Sequence, residues 1–150
     1  MPSQKYIRTM KPEEKQLLIK DICARLPYGV IVNYILFSNS SVRHRVLMGR
    51  VYMWSSSGFY IKKTDKYSDN WTWNYETWTS CEEFDDFKPY LRPMSSMTDK
   101  EKKEYQILID NLFDTGISFL SDWLNKNMFD YRDLIKKGLA LPAPEDMYNI

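Results

Sequence analysis

Apolar positions along the chain change rhythm twice. From Thr9 to Leu26 they follow a helical period: Leu18, Ile22 and Leu26 recur every fourth residue, flanked by Leu17 and Cys23, and make one apolar stripe. Pro12-Glu13-Glu14 suits a first helical turn, where a missing amide is harmless and negative charge is favoured. Pro27-Tyr28-Gly29 ends the helix and turns the chain. The period then shortens. Val30 to Phe37 is a β-branched apolar run, which predicts a strand buried on both faces. Arg43 to Trp54 predicts a second strand, with Gly49 as a bulge or close-packing point. Ser55–Gly58 is turn chemistry leading into a third strand, Phe59 to Lys63. Ser38–Ser41 and Asp65–Asn70 are polar turns. Trp71 to Thr79 alternates, with Trp71, Trp73, Tyr75 and Thr77 on one face and Thr72, Asn74, Glu76 and Trp78 on the other.

The second change falls at Phe84–Thr98, where Pro89 and Pro93 lack amide donors and bias the preceding residues toward extended backbone, so no helix crosses. Thr98-Asp-Lys-Glu101 then reads as a capping box. A helix follows to Phe113, with Tyr105, Leu108, Ile109, Leu112 and Phe113 as its buried stripe. Asp114-Thr-Gly116 interrupts it, and Ile117 to Asn125 resumes with Leu120, Trp123 and Leu124 inward, stopping at Asn127. Asp130 is placed to cap a last short helix, Tyr131–Lys137, ended by Gly138. The tail from Leu139 to Ile150 is extended and packs through Leu139, Leu141, Met147 and Tyr148. The expected fold is a single α+β domain over 1–150: an N-terminal helix, a four-stranded antiparallel sheet or small barrel, then two to three C-terminal helices.

Composition narrows the class. With 43% hydrophobic and 27% charged residues, 150 residues are enough for one core without disulfides or metals. No apolar run reaches the length of a membrane span and no signal-peptide pattern opens the chain, so the reading is a soluble, cytoplasmic protein. Cys23 falls on the helical core stripe and Cys81 in an acidic turn, which fits a reducing compartment. A net charge of +1 hides an asymmetry: residues 1–80 carry 12 Lys and Arg against 6 Asp and Glu (+6), and residues 81–150 carry 9 against 14 (−5). Such halves either complement each other within the fold or face different partners.

Lys88-Pro-Tyr-Leu-Arg-Pro-Met-Ser-Ser-Met-Thr98, with Asp122-Trp-Leu-Asn125, Phe129-Asp-Tyr-Arg132, Leu134–Leu141 and Pro144-Glu-Asp-Met-Tyr148, resembles a recurring family of short proteins from Bacteroidetes genomes and their phages. The resemblance covers the second half of the chain and transfers no catalytic residues. It implies a setting, a prophage or mobile-element accessory protein inside a bacterial cell, and leaves residues 30–80 as the variable, target-facing part.

The strongest candidate chemistry lies in that part. Arg43, His44, Arg45, Arg50, Lys62, Lys63 and Lys66 interleave with Tyr52, Trp54, Phe59, Tyr60, Tyr67, Trp71, Trp73, Tyr75 and Trp78. On a sheet surface, aromatic faces can stack on bases or fill a protein interface while neighbouring cations meet phosphates or carboxylates. The competing reading, and the default for aromatics on strands, is that they form the core with Lys and Arg solvated outside. Glu82-Glu83-Phe84-Asp85-Asp86 is the sole acidic cluster dense enough to suggest a metal, but adjacent turn carboxylates point apart. His44 is the only histidine, Ser55–Ser57 lacks a nucleophile-elbow pattern, and five glycines form no phosphate loop. No cofactor is expected.

These features predict a non-enzymatic accessory protein that binds a macromolecular partner, a protein ahead of nucleic acid, with Arg43, Arg45, Tyr52, Trp54, Tyr60, Lys62, Lys63, Trp71, Trp73 and Trp78 as the binding set. Phosphate contacts in the nucleic-acid alternative fall to Arg43, Arg45, Lys62 and Lys63. A metal-dependent enzyme around residues 82–86 is the third reading.

Overall fold

A computed structural model describes residues 10–37, 44–55, 58–64, 71–80 and 87–148, with backbone alone for 35–37, 44–47, 63, 64 and 71–80. The fold is α+β. Helix α1 spans Pro12–Arg25, with the Lys11 amide donating to the Glu14 carboxylate at 3.0 Å, and a 3-10 turn, Leu26–Tyr28, carries the chain to Gly29. Strands β1 (Ile31–Phe37), β2 (His44–Ser55), β3 (Gly58–Thr64) and β4 (Trp71–Ser80) form an antiparallel meander. Thr9, Arg43 and the two polar turns lie outside the described residues.

The sheet is larger than the four antiparallel strands expected, and it is open. Its order is β4-β3-β2-β1-β5-β6, where β5 (Lys88–Leu91) comes from the proline-rich stretch and β6 (Leu141–Pro142) from the tail. β5 lies antiparallel to β1 and parallel to β6. The stretch expected to be a bare hinge is therefore partly strand. Pro89 is tolerated because a short strand near the sheet margin can spare a donor.

Leu18 and Ile22 of α1 share one buried cluster with Val30, Val32, Tyr34, Val51, Phe59, Ile61, Phe87 and Leu91, closed by Met128, Leu134, Leu139 and Ala140. Two local features fit the strands to it. A Cβ on Gly49 would stand 2.6 Å from both Ile61 Cγ2 and the Lys62 carbonyl oxygen, so β2 and β3 approach there as only glycine allows. The bulge expected as one option at Gly49 instead falls between Val51 and Met53, and both Val51 and Trp54 reach the core cluster.

After the 3-10 turn Met94–Ser96, helices α2 (Asp99–Asp110), α3 (Leu112–Thr115) and α4 (Ile117–Lys126) form the second layer. Thr98 Oγ1 accepts from the Glu101 amide at 3.2 Å while Glu101 Oε1 accepts from the Thr98 amide at 2.9 Å, the reciprocal cap expected from sequence. Met97, Leu120, Leu124 and Phe129 form this layer's cluster, with Tyr105, Leu108, Ile109, Leu112 and Trp123 packed on it. Residues 131–137 make turns rather than the expected helix. Asp130 still acts as a cap: its carboxylate accepts from the Leu134 and Ile135 amides at 2.8 and 2.9 Å. The tail ends with the Tyr148 hydroxyl taking the Ile31 amide at 2.8 Å and donating to the Tyr90 carbonyl at 2.8 Å, bridging β1 and β5 beyond their ladder. Burial pushes that hydroxyl well above its ordinary pKa, so it remains a neutral donor.

Candidate functional site

The sheet face carries part of the expected binding set. Tyr52 and Tyr60 are half-buried with ring centroids 6.0 Å apart, and Lys62 Nζ sits 4.8 Å from the Tyr52 ring centroid. Lys62 pairs in register with Arg50 on β2 and with Glu76 on β4, and at 8% exposure it is a buried cation rather than the solvated one expected. Meeting a phosphate would require it to leave the tyrosine ring. Trp54 belongs to the interior: it packs on the core cluster with its ring 4.7 Å from that of Phe59, so the core reading holds at this position. Met53, which no sequence pattern singled out, is 44% exposed beside them. Arg45, Lys63, Trp71 and Trp78 occupy register positions opposite Leu36, Gly49, Thr64 and Tyr60, and Trp73 lies within β4. The β3–β4 ladder shifts register between Lys62 and Thr64, and the faces expected for the β4 side chains lie outside what is described. Arg43 lies outside the described residues.

A second constellation surrounds Arg92. Its guanidinium grips Glu101 with two hydrogen bonds of 2.7 and 2.8 Å, donates to the Asn127 carbonyl at 3.2 Å, and lies 4.3 Å from the centroid of the Phe129 ring. The same carboxylate caps α2, so one side chain ties the strand, the helix start and the 127–130 turn together. Arg92, Glu101 and Asn127 line a cleft of about 710 Å³ that also takes in Glu104, Glu145, Asp146 and Tyr148. The cleft mixes charged side chains with Pro93, Pro142, Ala143 and Pro144, and its central cation and carboxylate are committed to each other.

The Arg92 hydrogen bonds hold Glu101 down from the usual 4.5 to a pKa of about 2. A carboxylate with a depressed folded pKa stabilises the fold above its unfolded pKa and loses that contribution as pH falls through the folded one. Glu101→Gln is therefore expected to cost about 1–2 kcal/mol at pH 7, the scale of a charge-assisted hydrogen bond at a partly accessible site. That difference from the parent should shrink between pH 4.5 and pH 2, as read by urea denaturation at each pH.

The third feature departs from the expected helical stripe. Phe113, expected in the buried stripe of α2, is 104% exposed. The helix breaks at Asn111, whose φ of −108° and ψ of 20° leave the helical path, so the apolar period does not carry through to residue 113. Gly116, with a φ of 83°, sets the start of α4, and Ile117 and Phe119 on its first turn are exposed as well, as is Ile107 on α2. Asp110 and Asp114, both exposed, border this corner. The signal was present in Asp114-Thr-Gly116, a break in the helical pattern immediately after Phe113.

Among the described residues no group of three or more His, Cys, Asp or Glu is placed to hold a metal, and no helix is long and apolar enough to cross a membrane. The acidic run 82–86 and Cys81 lie outside the described residues, and Cys23 is a half-buried thiol against the core. No protein-family model matches this chain, and no curated protein or solved structure shows significant similarity to it.

Proposed function

We propose that this protein is a non-enzymatic accessory protein of a phage or mobile element that works by binding a host or element protein. The observation that carries the reading is the helical corner of Phe113, Ile117 and Phe119, three large apolar side chains held out from the fold. Large exposed aromatic side chains are the usual anchors of protein interfaces, and such anchors dominate binding energy where they occur. Asp110 and Asp114 at its border favour a partner whose apolar recess is rimmed by Lys or Arg. The sheet face supplies a second contact region, favoured by exposed Met53 beside Tyr52 and Tyr60. Burial of Lys62 counts against the nucleic-acid alternative, which needs that ammonium at a phosphate.

The test places a photo-crosslinking phenylalanine at position 113 and, separately, at 53, and irradiates each protein in lysate of a Bacteroidetes host. A discrete protein adduct at 113 is expected. Unmodified parent should compete it away, and Phe113→Ser should compete at least about tenfold less well, as for an interface anchor. An adduct at 53 alone would move the contact to the sheet. A nuclease-sensitive adduct would replace the protein partner by nucleic acid, and no adduct at either position would overturn the reading.

A further inference from the structure

The two margins of the sheet are built differently. One ends in the two-residue strand β6 next to β5, and Pro89 and Pro142 remove donors from that side. This is how sheets keep their margins from pairing with other chains. The other margin is β4, ten residues reading Trp-Thr-Trp-Asn-Tyr-Glu-Thr-Trp-Thr-Ser, with no proline, no glycine, no lysine and no arginine. Seven of its ten residues are the Trp, Tyr and Thr that strands favour, and it carries one charge, Glu76. Among the described residues β3 is its sole ladder partner, so along the regular part, Glu76–Ser80, alternate residues turn their backbone amide and carbonyl away from β3.

We propose that β4 is a dimerisation strand, pairing antiparallel with β4 of a second copy across a two-fold axis to join the two sheets into one. Residues directly opposite in an antiparallel pair share a face, and a two-fold perpendicular to the sheet preserves faces, so an unbroken strand pairs with itself only about a residue. Glu76–Ser80 is the unbroken part of β4, in continuous register with Gly58–Lys62. Trp78 is its centre. A two-fold there sets Trp78 against Trp78 of the partner subunit, Thr77 against Thr79 of the partner subunit, and Glu76 against Ser80 of the partner subunit. No like charges meet, whereas a two-fold at Glu76 would oppose two carboxylates. A net charge of +1 adds no long-range repulsion between copies.

The test is sedimentation velocity on the full chain from micromolar to about 200 µM, with Ser80→Lys and Ser80→Glu beside the parent. The parent should reach twice the 18.0 kDa chain mass. Ser80→Lys creates two symmetric pairs with Glu76 and should tighten the dimer about 2–30-fold, while Ser80→Glu creates two repulsive pairs and should loosen it by a similar factor. A parent that stays monomeric throughout, or a dimer indifferent to both substitutions, overturns the proposal. Hydrogen exchange of the unmodified chain probes the same pairing without a variant. Dilution should speed exchange of β4 amides and leave β2 amides unchanged, and concentration-independent exchange along β4 overturns the proposal. So does protection of β4 in a monomer that disappears when residues 1–9 are deleted, since that assigns the margin to the chain's own N-terminus.

Discussion

Asp21→Ala is expected to lower the unfolding free energy by about 3–5 kcal/mol, the cost of leaving a buried charge without its partner. The Asp21 and Arg25 side chains are both wholly inaccessible, joined by two hydrogen bonds of 2.9 and 3.0 Å, and Arg132 reaches the same carboxylate at 2.7 Å. One carboxylate thus neutralises two guanidiniums. Arg25 also donates to the Phe129 carbonyl at 2.7 Å, and its Nη1 already has no hydrogen-bond partner among the described residues. Removing the carboxylate leaves Arg25 buried, positive and beside a second cation, Arg132. Urea denaturation reads the loss. The double variant Asp21→Ala with Arg25→Leu should recover most of it, because a well-packed apolar pair replaces a buried ion pair at little cost. A double variant as unstable as Asp21→Ala alone would show that the loss came from packing or from Arg132.

Phe129→Ala is expected to cost a similar amount, about 3–5 kcal/mol, for a fully buried ring truncated to a methyl. The ring stacks on Trp123 at a centroid distance of 5.5 Å and lies beneath the Arg92 guanidinium. Phe129 therefore sits where the helical layer, β5 and α1 meet: Arg92 reaches it from the end of β5 and Arg25 from α1. Preceding it, Met128 holds a φ of 60°, a backbone state that non-glycine residues adopt when their surroundings require it. The loss should appear in thermal or chemical denaturation. With the ring gone the Trp123 indole gains solvent, so native-state fluorescence should shift to longer wavelength. An unshifted spectrum at reduced stability would place the loss in the turn rather than in the stack.

Much of the secondary structure was legible because it follows local rules. The stripe of Leu18 and Ile22 faces the core as its spacing requires, and Thr98 with Glu101 closes the cap that their offset of three announces. The four strands of the meander fall where β-branched and aromatic runs lie between turn residues. Local rules failed where a neighbour distant in sequence decided the outcome. Pro89 reads as a breaker, yet pairing with Val32 draws its segment into the sheet. Residues 131–137 carry a cap and a stop but no helix between them: the Asp130 carboxylate accepts from the Leu134 and Ile135 amides, and the Gly138 amide donates to the Ile135 carbonyl to close a turn.

The candidate site shows the same division. Trp54 and Tyr52 are two positions apart and belong to one face of a regular strand, but the bulge between Val51 and Met53 sends Trp54 into the core and leaves Tyr52 beside Lys62. Phe113 continues the helical stripe on paper, but the chain leaves the helix at Asn111 before that residue can turn inward.

Period, capping offsets and turn chemistry act within a few residues, so they were enough to set the α+β class, the helix caps and the meander. Which side chains are spent on the fold and which face outward was settled later, by elements packing across the molecule. Lys62 reads as a surface cation but lies against the Tyr52 ring, and Arg25 and Arg92, which no sequence pattern singled out, are tied down by groups from other elements. Phe113 reads as core but is exposed, because burial depends on what packs opposite a residue, and strands and helices far apart in the chain supply that surface.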